Sequence, residues 1–256
     1  MARKIMASDF DGTLRHYNAP HPYVRRDDME AIASFREHGN LFGMCSGRAL
    51  DSILKASVGM PPSDFYIVSS GAVYAEPEPK GVRIVSETAI PRQTARGLYG
   101  LLCHHRIFYV HLNGILYRVG KKESGEHAQI FVDSFDDLPE GRIHQVSAGT
   151  ASPEIASEAA KQLKKTYGRK LAVYQNNDHI DITDRTCSKG TGIEELRKRT
   201  GGRMIIGGIG DSYNDIPLLK AADVAFTFRF SPEKVKAAAD YVVDSAAEAL
   251  RILESL

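Results

Sequence analysis

Two carboxylates two residues apart, Asp9 and Asp11, close the apolar run Ile5-Met6-Ala7-Ser8 and precede Gly12, Thr13 and Leu14. If Lys4 to Ser8 is a buried strand, its period of two sends both acidic side chains the same way off the strand's end. Unpaired carboxylates so close repel one another and resist ionising together, and a divalent cation would compensate them. With a metal beside it, the pair has the parts of a nucleophile and an acid/base. A solvated turn rich in Asp and Gly has the same spelling, so the other reactive groups must decide.

Those groups also stand at the ends of apolar runs. Leu41-Phe42-Gly43-Met44-Cys45 stops at Ser46-Gly47-Arg48, and Met204-Ile205-Ile206 leads through Gly207-Gly208-Ile209-Gly210 to Asp211-Ser212-Tyr213-Asn214-Asp215. Ligands of open parallel sheets bind outside the carboxyl ends of the strands, so Asp9, Ser46 and Asp211 are predicted to converge on one rim. Lys189 joins them if its helix starts there. A lysine at a helix N-terminus opposes the helix dipole, and an anionic ligand at the same place would explain it. Phosphoryl transfer needs this set: a carboxylate nucleophile, a second carboxyl to move protons, acids to hold Mg²⁺, and Ser, Lys and backbone N–H groups against the phosphoryl oxygens. Each member also has an ordinary reading: Ser46 as a helix N-cap, Lys189 as a surface lysine, 211–215 as an Asx turn. Four such groups in this order favour the site.

The elements that must position them alternate. Asp27-Asp28-Met29-Glu30 reads as a capping box opening a helix to about His38, and Phe65-Tyr66-Ile67-Val68 is a third strand ending at Ser69-Ser70-Gly71-Ala72. Glu76-Pro77-Glu78-Pro79-Lys80-Gly81 reads as a turn or linker. Beyond it, Asn113-Gly114 joins two apolar, aromatic-rich runs as a hairpin, Ser152-Pro153-Glu154 caps a helix, and Gln175 to His179 joins a second hairpin. The βα rhythm returns from Ser188. The expected fold is α/β: a Rossmann-like, mostly parallel sheet with helices on both faces, from residues 1–80 and 185–256, carrying an inserted α+β module over 81–184.

The chain has 256 residues and a formal net charge of +1, which argues against a nucleic-acid footprint. No apolar run reaches membrane-spanning length, and the N-terminus lacks the apolar core of a signal peptide. Cys45, Cys103 and Cys187 are odd in number and far apart, which fits reduced thiols and a cytoplasmic location.

Asp9-Phe10-Asp11-Gly12-Thr13-Leu14, Ser46-Gly47-Arg48, Lys189-Gly190 and Gly210-Asp211-Ser212-Tyr213-Asn214-Asp215 resemble, in order, the four motifs of the haloacid dehalogenase-like phosphatases. An insert between the second and third motifs is similar to the cap of their Cof-type branch. The resemblance implies Asp9 as nucleophile and Asp11 as general acid/base. It implies Mg²⁺ held by Asp9, the Asp11 carbonyl and Asp211, with Asp215 close by. Ser46, Lys189 and backbone N–H groups near Phe10, Asp11 and Gly47 would bind the phosphoryl group, and Asn214 would orient Lys189 or the phosphate. The expected substrate is a small phosphorylated metabolite, most plausibly a sugar phosphate, and the expected state is a monomer or homodimer. A phosphomutase using the same intermediate, or a non-catalytic phosphometabolite-binding protein, are the alternatives.

The chain departs from the branch pattern at Ser70-Gly71-Ala72 and at Phe228-Arg229-Phe230-Ser231, both near the expected leaving group. Arg48, Ser70, Arg118, His179 and Arg229 are therefore candidate substrate contacts. Arg118, with Lys121 and Lys122, would read a second anionic group; a solvated hairpin end is the alternative. His179 and Asp181 alternate with Ile180 and Ile182, so their common face looks either at the site or at solvent. The loop carrying His16, Tyr17, His21 and Tyr23 reads as a packing surface at the cap hinge rather than as a substrate contact.

Overall fold

The computed structural model describes residues 3–120, 130–201 and 204–256, so Lys121 and Lys122 lie outside the described residues. Its larger sheet has eight strands. From edge to edge they are Tyr241–Val243, Val224–Phe228, Met204–Ile209, Arg3–Ser8, Leu41–Cys45, Phe65–Val68, Val73–Glu78 and Gly81–Glu87. The first six run parallel, and the last two fold back antiparallel. Arg3–Ser8 sits in the middle and is buried on both faces, which is why it reads as a continuous apolar run. Met6 packs with Ile32 and Phe35 of the helix Arg26–Glu37 and with Leu250 and Leu253 of the helix Ala246–Ser255. Ile5 and Ala7 face the other way, toward Ile193 and Leu196 of Lys189–Thr200 and Leu218 of Ile216–Ala221.

Two sequence expectations are corrected here. Arg26–Glu37 begins without a side-chain cap, so the capping box at Asp27–Glu30 does not form. Asp28 is instead buried, and its Oδ1 accepts the Ala247 N–H (2.8 Å) at the start of the closing helix, where an acid suits the dipole. The second concerns the strand that follows the turn or linker read at 76–81: those residues are the turn end of a hairpin, and Gly81–Glu87, expected in the inserted module, is the outer strand of the larger sheet. Pro77 is tolerated because Phe65–Val68 pairs only as far as Ala75, leaving that side of the strand without a ladder to serve.

The second sheet has six strands in the order Ile130–Val132, Ile115–Val119, Ile107–Leu112, Ile143–Gly149, His179–Asp184 and Leu171–Asn176. The helices Arg92–Leu102 and Pro153–Tyr167 cover one face, packing Leu98, Leu102, Ala156, Ala160 and Leu163 against Phe108, Val110, Val146, Ile180 and Ile182. Alternation then sends Tyr109, His111, Gln145, Ser147, His179 and Asp181 to the opposite face, which looks at the larger sheet. The Asn113-Gly114 hairpin forms as expected and docks on the helix Leu50–Ala56: Asp51 N–H donates to the Gly114 carbonyl (2.9 Å), and Asp51 Oδ1 accepts the Leu116 N–H (3.0 Å).

Between the third strand and its hairpin return, Ser69 and Ser70 both hold positive φ (49° and 54°) and Gly71 follows at 89°. This turn ties down its neighbours: Ser69 N–H donates to the Arg48 carbonyl (2.8 Å) and Ser70 N–H to the Ser46 carbonyl (3.2 Å). A Cβ on Gly71 would lie 1.9 Å from the Ser188 carbonyl oxygen, beside the helix that begins with Lys189. Gly71→Ala combines a left-handed backbone with a backbone clash, so it is expected to lower stability by about 2–4 kcal/mol. An unchanged denaturant midpoint would show that the turn relaxes freely.

Candidate active site

Three strands of the larger sheet end at the predicted groups. Asp9 N–H donates to the Ile209 carbonyl (2.9 Å) and Ser46 N–H to the Ile67 carbonyl (2.8 Å), so both residues leave the sheet at the same rim as Asp211. Lys189 is the first residue of its helix, whose N-cap, Ser188, accepts the Thr191 N–H. Its side chain is 2% exposed, and Nζ donates to Asp9 Oδ1 (2.6 Å) and Asp215 Oδ1 (2.5 Å). The misplaced charge inferred at this helix end is thus balanced by two acids from other elements. Asp215 Oδ2 accepts the N–H groups of Asp211 (3.1 Å) and Ser212 (2.9 Å). Thr13 Oγ1 donates to Asp211 Oδ1 (2.9 Å) and lies 3.4 Å from Asp9 Oδ2. Gly12, at φ +88°, leaves room for this approach; a Cβ there would stand 2.6 Å from Asp211 Oδ2.

Asp9, Asp211 and Asp215 each bring a carboxylate oxygen within 4.8 Å of the others. One ammonium does not neutralise three acids. Burial, and then the charge of Asp215, push Asp9 well above the usual carboxylate range and Asp211 up to about 6. Burial would lower Lys189, but the charges of Asp215 and Asp9 outweigh it and hold the amine above its ordinary value. A cluster of hard oxygen donors with surplus negative charge fits a divalent cation such as Mg²⁺. Both Asp215 oxygens already have donors, which leaves Asp9 and Asp211 as the freer ligands.

Asp11 is held differently. Arg48 grips it with two bonds, Nε to Oδ2 (2.6 Å) and Nη2 to Oδ1 (2.8 Å), and the Tyr17 hydroxyl donates to Oδ1. Burial raises this carboxyl, but the bonds and charge of Arg48, with Tyr17, bring it below the usual range. Tyr17, expected as hinge packing, therefore belongs to the site, and its own hydroxyl is pushed up to about 12 by burial and Asp11.

A cavity of 520 Å³ lies between the two sheets. Its walls include Asp9, Asp11, Tyr17, Ser46, Gly47 and Arg48 from the larger sheet's side, with Asp211 and Asn214. The polar face of the second sheet supplies Tyr109, His111, Gln145, Ser147, His179 and Asp181. Bonds between the sides at the cavity include Ser69 Oγ with His111 Nδ1 (2.9 Å) and Gln145 Nε2 donating to the Gly47 carbonyl (3.1 Å). Burial, and then His144, push His111 down to about 3, so it is neutral. Ser147 Oγ donates to Asp181 Oδ1 (2.6 Å), and burial raises Asp181 against this bond.

Ser70 is buried beside Gly47, its Oγ 3.6 Å from where a Gly47 Cβ would stand. Asn214 reaches the cavity wall, but no bond joins it to Lys189, and its Oδ1 is buried without a donor. His179 faces the cavity while pairing with Asp178 (2.8 Å). Two candidates are elsewhere. Arg118 stands directly across from Tyr109 on the next strand but does not line the cavity, with its guanidinium over the ring of Tyr109 (5.7 Å) and Nη2 donating to the Arg106 carbonyl (3.3 Å). Arg229 is exposed and pairs with Asp244 (2.6 Å), as befits a charged residue just past a strand end. Sequence reasoning passed over Gln145, Ser147 and Tyr109. Their signal was alternation, in Gln145-Val146-Ser147 and Phe108-Tyr109-Val110, with a polar face that needed a partner.

The sequence model of the family described as haloacid dehalogenase-like hydrolase matches residues 6–250. A phosphoglycolate phosphatase from Methanothermobacter thermautotrophicus is 26% identical over 257 aligned positions, covering 97% of each chain. Among solved structures, a haloacid dehalogenase-like hydrolase from B. subtilis superimposes with a TM-score of 0.80 at 19% identity, covering 98% of this chain and 99% of that one. A subclass IIB sugar phosphatase gives 0.77 at 19% identity, over 99% and 100%. These two establish the likeness of fold, and the family match extends it across both sheets and all four motifs. The chain belongs to the haloacid dehalogenase-like hydrolases.

Proposed function

We propose that the protein is a Mg²⁺-dependent, cytoplasmic phosphomonoesterase acting on a small phosphorylated metabolite, a sugar phosphate by preference. The observation that carries this reading is the buried ion-pair chain Asp9–Lys189–Asp215, with Asp211 beside it at the mouths of three parallel strands. Asp9 Oδ attacks phosphorus in line, and the ester P–O bond breaks as the alkoxide takes a proton from Asp11. The aspartyl-phosphate is then opened by water, whose proton goes to the Asp11 carboxylate; phosphate leaves and Asp9 is restored. Lys189 holds Asp9 in place, and the Ser46 hydroxyl with N–H groups of the 46–48 loop faces the phosphoryl oxygens. Asp9, Asp211 and the Asp11 carbonyl, with Asp215 behind them, would hold Mg²⁺, which would supply the charge that lets an anion approach an anionic nucleophile.

Arg48 gives Asp11 two states. While clamped it is an ionised base, which suits the water step. A phosphoryl group beside the 46–48 loop offers the guanidinium another anion, and Asp11 then becomes free to take up and deliver a proton. Residues 88–184 form the cap in this reading, and closure of their polar face excludes water from the intermediate.

Phosphate release from a panel of phosphorylated metabolites, with and without EDTA, tests the proposal. Asp9→Asn is expected to lose at least about 10³-fold in kcat while leaving the fold intact. Turnover that survives that substitution, or survives chelation, would refute the aspartate–metal route. A second expectation concerns pH. An acid whose folded-state value is raised weakens the metal-free fold as pH rises from the unfolded value toward about 6, because in that window the unfolded state has given up a proton that the folded state still holds. Mg²⁺ relieves that repulsion only once Asp211 is ionised. Its effect on Tm should therefore be small well below pH 6 and grow through about 6. A pH-independent Tm shift would place the ion elsewhere.

A further inference from the structure

The cavity has one wall of negative and neutral acceptors, and they bear on what the phosphoryl group arrives attached to. Asp181 stands in the middle of the second sheet, directly across from Ser147 on one side and Tyr174 on the other. Its Oδ1 accepts both the Ser147 hydroxyl (2.6 Å) and Gln145 Nε2 (3.1 Å), which fixes the carboxylate. Among the described residues no donor reaches Oδ2. That oxygen lies over the loop of the second motif, 3.5 Å from the place a Gly47 Cβ would occupy. Gln145 adds a second vacancy. Its amide nitrogen faces three acceptors, Gly47 O, Ser147 Oγ and Asp181 Oδ1, so the side chain cannot turn over without setting oxygen against oxygen. This orientation leaves Oε1 buried and without a donor at the cavity wall.

Among the described residues, the basic side chains lining the same cavity are engaged or neutral: Arg48 is on Asp11, His179 pairs with Asp178, and His111 is neutral. Arg118 and Arg229 do not line the cavity, and Lys121 and Lys122, expected with Arg118 to read a second anion, lie outside the described residues. A leaving group with a carboxylate or second phosphate would thus bring more acceptor oxygens against Asp181 Oδ2 and Gln145 Oε1, and acceptors set against acceptors gain no hydrogen bond. Hydroxyl groups meet the opposite situation, because each O–H supplies the donor these atoms lack.

Resting on the phosphatase reading above, we infer that Asp181 is the specificity residue of the cap: its Oδ2 accepts a hydroxyl of a neutral, polyhydroxylated leaving group, and it disfavours leaving groups that are themselves anions. Gln145 and Ser147 are positioning residues that hold Asp181, and Gln145 Oε1 is a second acceptor for the same group. A phosphoglycolate-type substrate is disfavoured, although a relative carries that name.

The test measures kcat/KM of the Mg²⁺-loaded full chain for ribose 5-phosphate, 2-deoxyribose 5-phosphate and phosphoglycolate, in wild type, Asp181→Asn and Gln145→Met. Ratios between substrates on one preparation do not depend on the fraction of protein correctly folded. The wild type should favour ribose 5-phosphate over phosphoglycolate, and Asp181→Asn should reduce that ratio by roughly 10- to 100-fold, the worth of a hydrogen bond to a charged group. Gln145→Met should shift it in the same direction by less. A wild type that favours phosphoglycolate, or an Asp181→Asn protein whose ratios equal those of the wild type, would overturn the inference while leaving the phosphatase reading intact. Release of phosphate from none of the three, by any of the proteins, would instead overturn the reading beneath it, and the inference with it.

Discussion

A buried ammonium between two buried carboxylates organises this molecule. Lys189, Asp9 and Asp215 are nearly inaccessible to solvent, and removing such groups from water is costly unless their charges meet. They come from three distant parts of the chain: the end of the central strand, the start of one helix and the turn opening another. Bringing each acid within 2.6 Å of the Lys189 amine fixes those three elements together. The arrangement also leaves a deliberate imbalance. With one cation for three acids, the cluster carries surplus negative charge, and the same residues that stabilise the junction are a group that could hold a metal ion.

The second sheet works by the opposite means. It brings few charges to the site and many neutral acceptors and donors, presented by strict alternation on the face its own helices leave bare. Its bonds to the larger sheet's side include His111 to Ser69, Gln145 to the Gly47 carbonyl, the hairpin turn to Asp51, and His144 and Arg142 to Glu87 of the outer strand. The first two end on the loop 46–48 and the turn 69–71 that braces it. In the proposed function, substrate selection and phosphoryl binding therefore share a seam.

The Asp11–Arg48–Tyr17 cluster shows how context redefines a residue type. Two aspartates two positions apart look alike in sequence, yet burial with Asp215 raises one and a bidentate guanidinium lowers the other. Surroundings, not residue type or spacing, thus set how tightly each carboxyl holds its proton.

Much of the fold was legible from local pattern. Apolar runs stopping at Asp9, Ser46 and Asp211 located the parallel strands and the rim, because a strand buried on both faces has no other spelling. Asn113-Gly114 and Ser152-Pro153 fixed a hairpin and a helix start through turn and cap chemistry that acts over four residues. The failures were of longer range. Asp28 looked like a cap for its own helix and serves another some 219 positions away, and Pro77 looked like a break and sits in a strand whose far side is open. Arg118 and Arg229 had the right charge, but neither lines the cavity: one stacks on Tyr109 and the other pairs on the surface with Asp244. The sequence by itself determined which groups could do chemistry and which stood at strand ends. Only the tertiary structure decided that the polar face of Tyr109, Gln145, Ser147 and Asp181 turns toward the site and not toward solvent. Alternation makes two faces, and what packs against each is settled by the rest of the molecule.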